Sequence, residues 1–135
     1  MSRVKVLDSN ALIVFFQNEP GAEKVEQIII EGITHQESRR NLLSVVNWGE
    51  IYYSIMRKQG EHTAEQKLRD IERMNIEIVP VDQELTKQAA HFKAKHSIAY
   101  ADCFAAALAK MNKADLVTGD SEFKLVEKEI NIIWI

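Results

Sequence analysis

Val4-Lys5-Val6-Leu7-Asp8-Ser9-Asn10 decides the fold, because a short apolar run passes directly into three residues that favour helix starts. Residues 4–7 suit a buried strand and are too few for a helix. Asp8, Ser9 and Asn10 each carry a side-chain oxygen that can accept from the free N–H groups of a first helical turn. A helix is therefore expected through Asn18, after which Pro20 and Gly21 break the chain.

The same order recurs outward from that stretch. Residues 22–31 repeat apolar positions at Val25, Ile28 and Ile29, as one face of a helix closed by Gly32, and residues 34–40 read as loop. Residues 42–46 form a second apolar run. It leads into a helix over 47–58 whose Trp48, Ile51, Tyr52 and Ile55 share a face and which Gly60 ends. Thr63 is expected to cap a helix to Met74, followed by a β-branched strand over 76–81 and a helix from Asp82 to Lys95. An alanine-rich helix over 101–112, a strand over 116–118, a helix over 121–129 and a strand over 132–135 complete the chain. Five strands separated by helices imply a three-layer α/β/α sandwich around a five-stranded parallel sheet. Ligands of such folds bind at the carboxyl edge of the sheet.

A chain of 135 residues that is 46% hydrophobic is expected to form one domain over residues 1–135. Its first apolar run follows only Ser2 and Arg3 and is too short for a leader or a membrane span, so a cytoplasmic protein without a membrane partner is expected. The single cysteine, Cys103, cannot form an internal disulfide and reads as a small buried hydrophobe. A formal charge of −3 gives no overall attraction for nucleic acid. Carboxylates clustered beneath bound cations would leave the remaining surface more basic than that total.

Four acids fall where the expected fold places its carboxyl edge. Asp8 ends the first strand, Glu50 lies early in the helix after the second, Asp102 opens the alanine-rich helix, and Asp120 follows the 116–118 strand after one glycine. Singly, each has an ordinary reading: Asp8 and Asp120 as helix caps, Asp102 as a first-turn acid and Glu50 as a solvated helix residue. Jointly they form a cleft of like charges, which needs a cation to be stable. Oxygen-only ligands select a hard ion, Mg²⁺ or Mn²⁺, singly or as a pair, with water activated for phosphodiester hydrolysis. Thr118 is expected to orient Asp120 or a bound water, and Gly119 to let the backbone turn sharply. Asn10 reads as a turn residue, a substrate contact or a support for Asp8, and Glu122 as a fifth ligand or an ordinary first-turn acid.

With these segments in order, the sequence resembles the PIN-domain family, in particular VapC toxins of toxin-antitoxin pairs. The resemblance covers nearly the whole chain. It rests on the strand into Asp8-Ser9-Asn10 with Leu12 and Ile13, on Asn47-Trp48-Gly49-Glu50-Ile51, on the run from Tyr100 through Asp102 to Ala109, and on Leu116 to Phe123. It implies a metal-dependent endoribonuclease with Asp8, Glu50, Asp102 and Asp120 as the catalytic, metal-holding quartet. It also implies an RNA substrate, a homodimer and a small antitoxin partner. Glu122 stands where the family often has Asp.

Three other readings compete with the toxin. One is a general RNA-processing nuclease of the same family, which the absence of a neighbouring antitoxin gene would favour. Another is a phosphatase of the haloacid dehalogenase type, which also starts from an acid after the first strand, but that chemistry wants a second aspartate where this chain has Asn10. A catalytically silent binding module has no reason to keep four repelling acids. His35, His62, His91 and His96 lack metal spacing, and Arg39, Arg40, Arg57, Lys58, Lys93 and Lys95 read as solvated. Trp48, Tyr52, Tyr53 and Phe104 read as packing residues.

Overall fold

β1 (Val4–Leu7) lies at the centre of a five-stranded sheet in the order β3-β2-β1-β4-β5, and every pairing is parallel. The computed structural model describes residues 3–135. Met1 and Ser2, part of the short lead-in read from the sequence, lie outside them. β2 (Arg40–Ser44), β3 (Ile76–Val79), β4 (Asp115–Thr118) and β5 (Asn131–Trp134) flank β1 on its two sides. The chain winds from β1 toward β3 and then returns to the other side of β1 for β4, so the strand order reverses between β1 and β4. Open parallel sheets bind their ligands at such a point, outside the carboxyl ends of the strands.

Both faces of the sheet are covered, which is why the central strands are apolar at consecutive positions. Val6, Leu42 and Leu116 face a core shared with α5 (Gln83–Lys95) and α6 (Tyr100–Met111). Their neighbours Leu7, Leu43 and Val117 face a second core with α1 (Ser9–Phe16), α2 (Ala22–Thr34), α3 (Val45–Gln59) and α4 (Glu61–Glu72). α6 is buried at every position from Asp102 to Ala109. Its alanines let the helix approach its neighbours closely on all sides.

Several boundaries differ from the sequence reading. β2 ends at Ser44, and Ser44 Oγ accepts from the Val46 amide at 3.2 Å, so Val45 and Val46 open α3 instead of ending the strand. α2 continues through Gly32 to Thr34. There Gly32 is an approach point, because a Cβ would meet the side-chain amide of Asn41, which donates to Ile28 O at 3.1 Å. α4 begins at Glu61, directly after Gly60 at φ 91°, so Thr63 lies inside the helix and is not its cap. β3 stops before Pro80, which has no N–H to give the ladder. The α-helix expected over 121–129 is a 3₁₀-helix, η1 (Ser121–Val126), and its greater rise per residue carries the chain back toward β5 in few residues. Among the described residues no helix is long and apolar enough to cross a membrane.

Candidate metal centre

The four acids reach one place from four separate segments. Asp8 follows β1, Glu50 lies on α3, Asp102 lies in the first turn of α6, and Asp120 precedes η1. Carboxylate oxygens of Asp8, Glu50 and Asp102 lie within 4.8 Å of one another, and so do oxygens of Asp102, Asp120 and Glu122. Asp102 belongs to both groups. The first group is the deeper, with Asp8 1% and Asp102 7% exposed, and the second opens outward to the exposed Glu122.

Hydrogen bonds fix these side chains from behind. Thr118 Oγ1 donates to Asp8 Oδ2 at 3.0 Å and accepts from the Asp120 amide at 3.0 Å. The sequence pointed to Asp120 or a water as the partner of Thr118; its hydroxyl meets the Asp120 backbone amide and, in addition, the Asp8 carboxylate. Asn10 Oδ1 accepts from the Gly119 amide at 2.8 Å, which ties α1 to the turn leading to Asp120. A Cβ on Gly119 would lie 3.1 Å from that Asn10 oxygen and 3.3 Å from Ile135, which explains why the turn takes glycine. Ser9 Oγ and Asn47 Nδ2 both donate to Glu50 Oε1, at 3.0 and 2.9 Å.

The cap readings divide. Asp120 Oδ1 accepts from the Glu122 amide at 2.9 Å and does cap η1. Asp8 sits at the N-cap of α1 without accepting any side-chain cap bond, so its carboxylate is spent elsewhere.

Crowding raises the acids' proton affinity. Burial pushes Asp8 from the usual 3.8 up to about 8, helped by Asp102 and Glu50 and opposed by the Thr118 hydroxyl. Burial likewise lifts Asp102 to about 7, with Asp120, Glu50 and Glu122 adding repulsion. Asp8 Oδ1 is buried without a hydrogen-bond partner. A solvent-shielded oxygen left unpaired among neighbouring carboxylates is costly to a protein alone and useful to a cation. Hard oxygen donors in this arrangement suit an ion such as Mg²⁺ or Mn²⁺, which Asp8, Glu50 and Asp102 could hold from within and Asp120 and Glu122 from the solvent side.

Sequence reasoning missed two supporting residues. In the sequence Ser9 stands out only as a helix starter, and Asn47 only as part of a motif. The available signal was Asn47 itself, an amide one turn before Glu50 and hence on the same helix face. The histidines stay outside both acidic groups. His96 Nε2 pairs with Glu129 Oε2 at 2.6 Å, and His35, His62 and His91 are exposed. Cys103 is buried as expected.

A parallel α/β sheet with an acidic cluster at its switch point is a doubly wound fold whose candidate site lies where such sheets bind their ligands. The profile of the PIN domain matches residues 5–129, and the chain belongs to the PIN domain family. Solved structures similar in fold include VapBC2 from Rickettsia felis bound to a DNA fragment from their promoter. That pair is 17% identical, covers 96% of this chain and 97% of that one, and has a TM-score of 0.76. Mycobacterium tuberculosis VapC20, a sarcin-ricin loop cleaving toxin, is 12% identical over 90% of this chain and 94% of its own, with a TM-score of 0.70. VapBC-1 from nontypeable Haemophilus influenzae is 19% identical over 97% of each chain, with a TM-score of 0.69. The sequence matches no curated protein. Family membership sets the phosphatase alternative aside.

Proposed function

We propose that the whole chain is one PIN domain acting as a divalent-metal-dependent endoribonuclease, the toxin of a type II toxin-antitoxin pair. The observation that carries this is the meeting of Asp8, Glu50 and Asp102, with a buried unpaired Asp8 oxygen, beside a second group in which Asp102 is joined by Asp120 and Glu122. The fold shared with VapC20, a sarcin-ricin loop cleaving toxin, supports RNA as the substrate class. The fold shared with the VapBC systems supports a small antitoxin partner, and the family resemblance supports a homodimer.

When bound, Mg²⁺ or Mn²⁺ supplies charge neutralisation and water activation for phosphodiester hydrolysis. The chain's own residues do the rest. Asp8, Glu50 and Asp102 would hold the ion, and Thr118, Ser9 and Asn47 keep two of those carboxylates from turning away. Asp120 stands at the more open side, its backbone anchored by Thr118 and its Oδ1 by the Glu122 amide. A rigid constellation of this kind lowers the barrier by positioning, since its donors need no rearrangement during reaction.

The test is cleavage of RNA by purified protein with Mn²⁺ or Mg²⁺, with and without EDTA, beside Asp102→Asn purified identically. The proposal expects cleavage that EDTA abolishes and that falls at least about a hundredfold in the folded variant. Full activity in Asp102→Asn, with contaminating nuclease excluded, would refute it.

A further inference from the structure

Asn47 is completely buried in α3, one turn before Glu50. A buried asparagine brings two donor hydrogens and an acceptor that all need partners. Its Nδ2 donates to Glu50 Oε1 at 2.9 Å and to Ala101 O at 3.2 Å, while its Oδ1 has no partner. Ala101 directly precedes Asp102. One amide therefore holds the side chain of one acid and the backbone beside another, across 54 residues of sequence.

Packing alone gives no reason for an amide here, since a leucine of similar size would fill the space without burying an unpaired oxygen. The chemistry at Glu50 gives one. Ser9 and Asn47 both donate to Oε1, and among the described residues no hydrogen bond engages Oε2. Pinning one oxygen fixes the rotamer of a long side chain and leaves the other free to ligate.

We infer that Asn47 is a positioning residue of the acidic centre. By holding Glu50 Oε1 and the Ala101 carbonyl together it sets the spacing of the Glu50 and Asp102 carboxylates, and through it the affinity for a divalent cation. The inference rests on the reading of that cluster as a metal site.

The experiment is calorimetric titration of the full chain with Mn²⁺ alone, with folding followed by circular dichroism. Asn47→Leu removes both donors and is expected to weaken Mn²⁺ binding by about tenfold or more, the usual effect of losing a residue that supports a ligand. Asn47→Ala is the second variant, in case leucine is not accommodated. In a Glu50→Gln background the same change is expected to cost no more than about threefold, because residues acting through one another are not additive. Unchanged Mn²⁺ affinity in either folded variant, or an equal loss in both backgrounds, would overturn the inference. If Asp102→Asn loses Mn²⁺ while Asn47→Leu keeps it, this inference alone falls. If the unsubstituted chain binds no Mn²⁺, the metal-site reading beneath it falls as well.

Discussion

Thr118 Oγ1 lies 3.0 Å from Asp8 Oδ2, a contact between residues 110 apart in sequence and adjacent at the ends of neighbouring strands. The same oxygen accepts from the Asp120 amide. One fully buried hydroxyl thus joins two acids across the point where the strand order reverses.

Thr118→Val keeps the shape and removes the hydroxyl, leaving Asp8 Oδ2 without its donor and the Asp120 amide without its acceptor. The expected cost is about 1–3 kcal/mol of stability by urea unfolding, with a fall in cleavage of about tenfold or more. Thr118→Ser retains the hydroxyl and is expected to keep most of the activity. Equal activity in the serine and valine variants would show that the hydroxyl is not what matters.

Asp8 near 8 and Asp102 near 7 both lie above the 3.8 of the unfolded chain. Between about pH 4 and pH 8 the folded protein therefore binds more protons than the unfolded one, and without a cation its stability falls as pH rises through that window. A cation that binds the ionised folded form offsets the loss at pH 8 and competes with protons at pH 5. Scanning calorimetry after EDTA treatment should give a lower Tm at pH 8 than at pH 5. Mn²⁺ at a hundredfold above its Kd should then raise Tm by roughly 5 to 10 °C at pH 8 and by clearly less at pH 5. Equal Mn²⁺ shifts at the two pH values would contradict this assignment.

Gly119→Ala places a methyl 3.1 Å from Asn10 Oδ1 and 3.3 Å from Ile135. The neighbours, among them the Ile135 carbonyl, must give by a few tenths of an ångström, for an expected stability cost of about 1 kcal/mol. The relief comes at the Asn10 bond to the Gly119 amide, which steadies Asp120. Cleavage should therefore fall several-fold more than thermal stability suggests, and a variant with unaltered turnover would remove Asn10 and Gly119 from the account.

Gly32→Ala is the converse case. The new methyl would collide with the Asn41 side-chain amide and break its buried bond to Ile28 O. About 2–3 kcal/mol should be lost in thermal or denaturant unfolding. Since neither residue touches the acidic cluster, the Mn²⁺ affinity of the folded fraction should not change.

The sheet was legible in the sequence because its central strands are buried on both faces. Val6-Leu7, Leu42-Leu43 and Leu116-Val117 stand out as apolar pairs with helical patterns between them. The boundaries were less so. Ser44 reads equally as the end of a strand or the cap of a helix, and only its bond to the Val46 amide decides. Gly32 resembles a helix stop because its reason, the approach of Asn41, lies on another element. The acids were legible through their places after strands and at helix starts. The donors behind them were not, because a serine after an aspartate looks like a cap until Glu50 is folded against it.

The central claim is that these carboxylates share a cation, and anomalous diffraction from crystals soaked in Mn²⁺ tests it most directly. A manganese peak is expected in contact with the carboxylates of Asp8, Glu50 and Asp102, absent from crystals of Asp102→Asn. A saturating soak that leaves this place without a peak, or puts manganese only elsewhere on the surface, would contradict it.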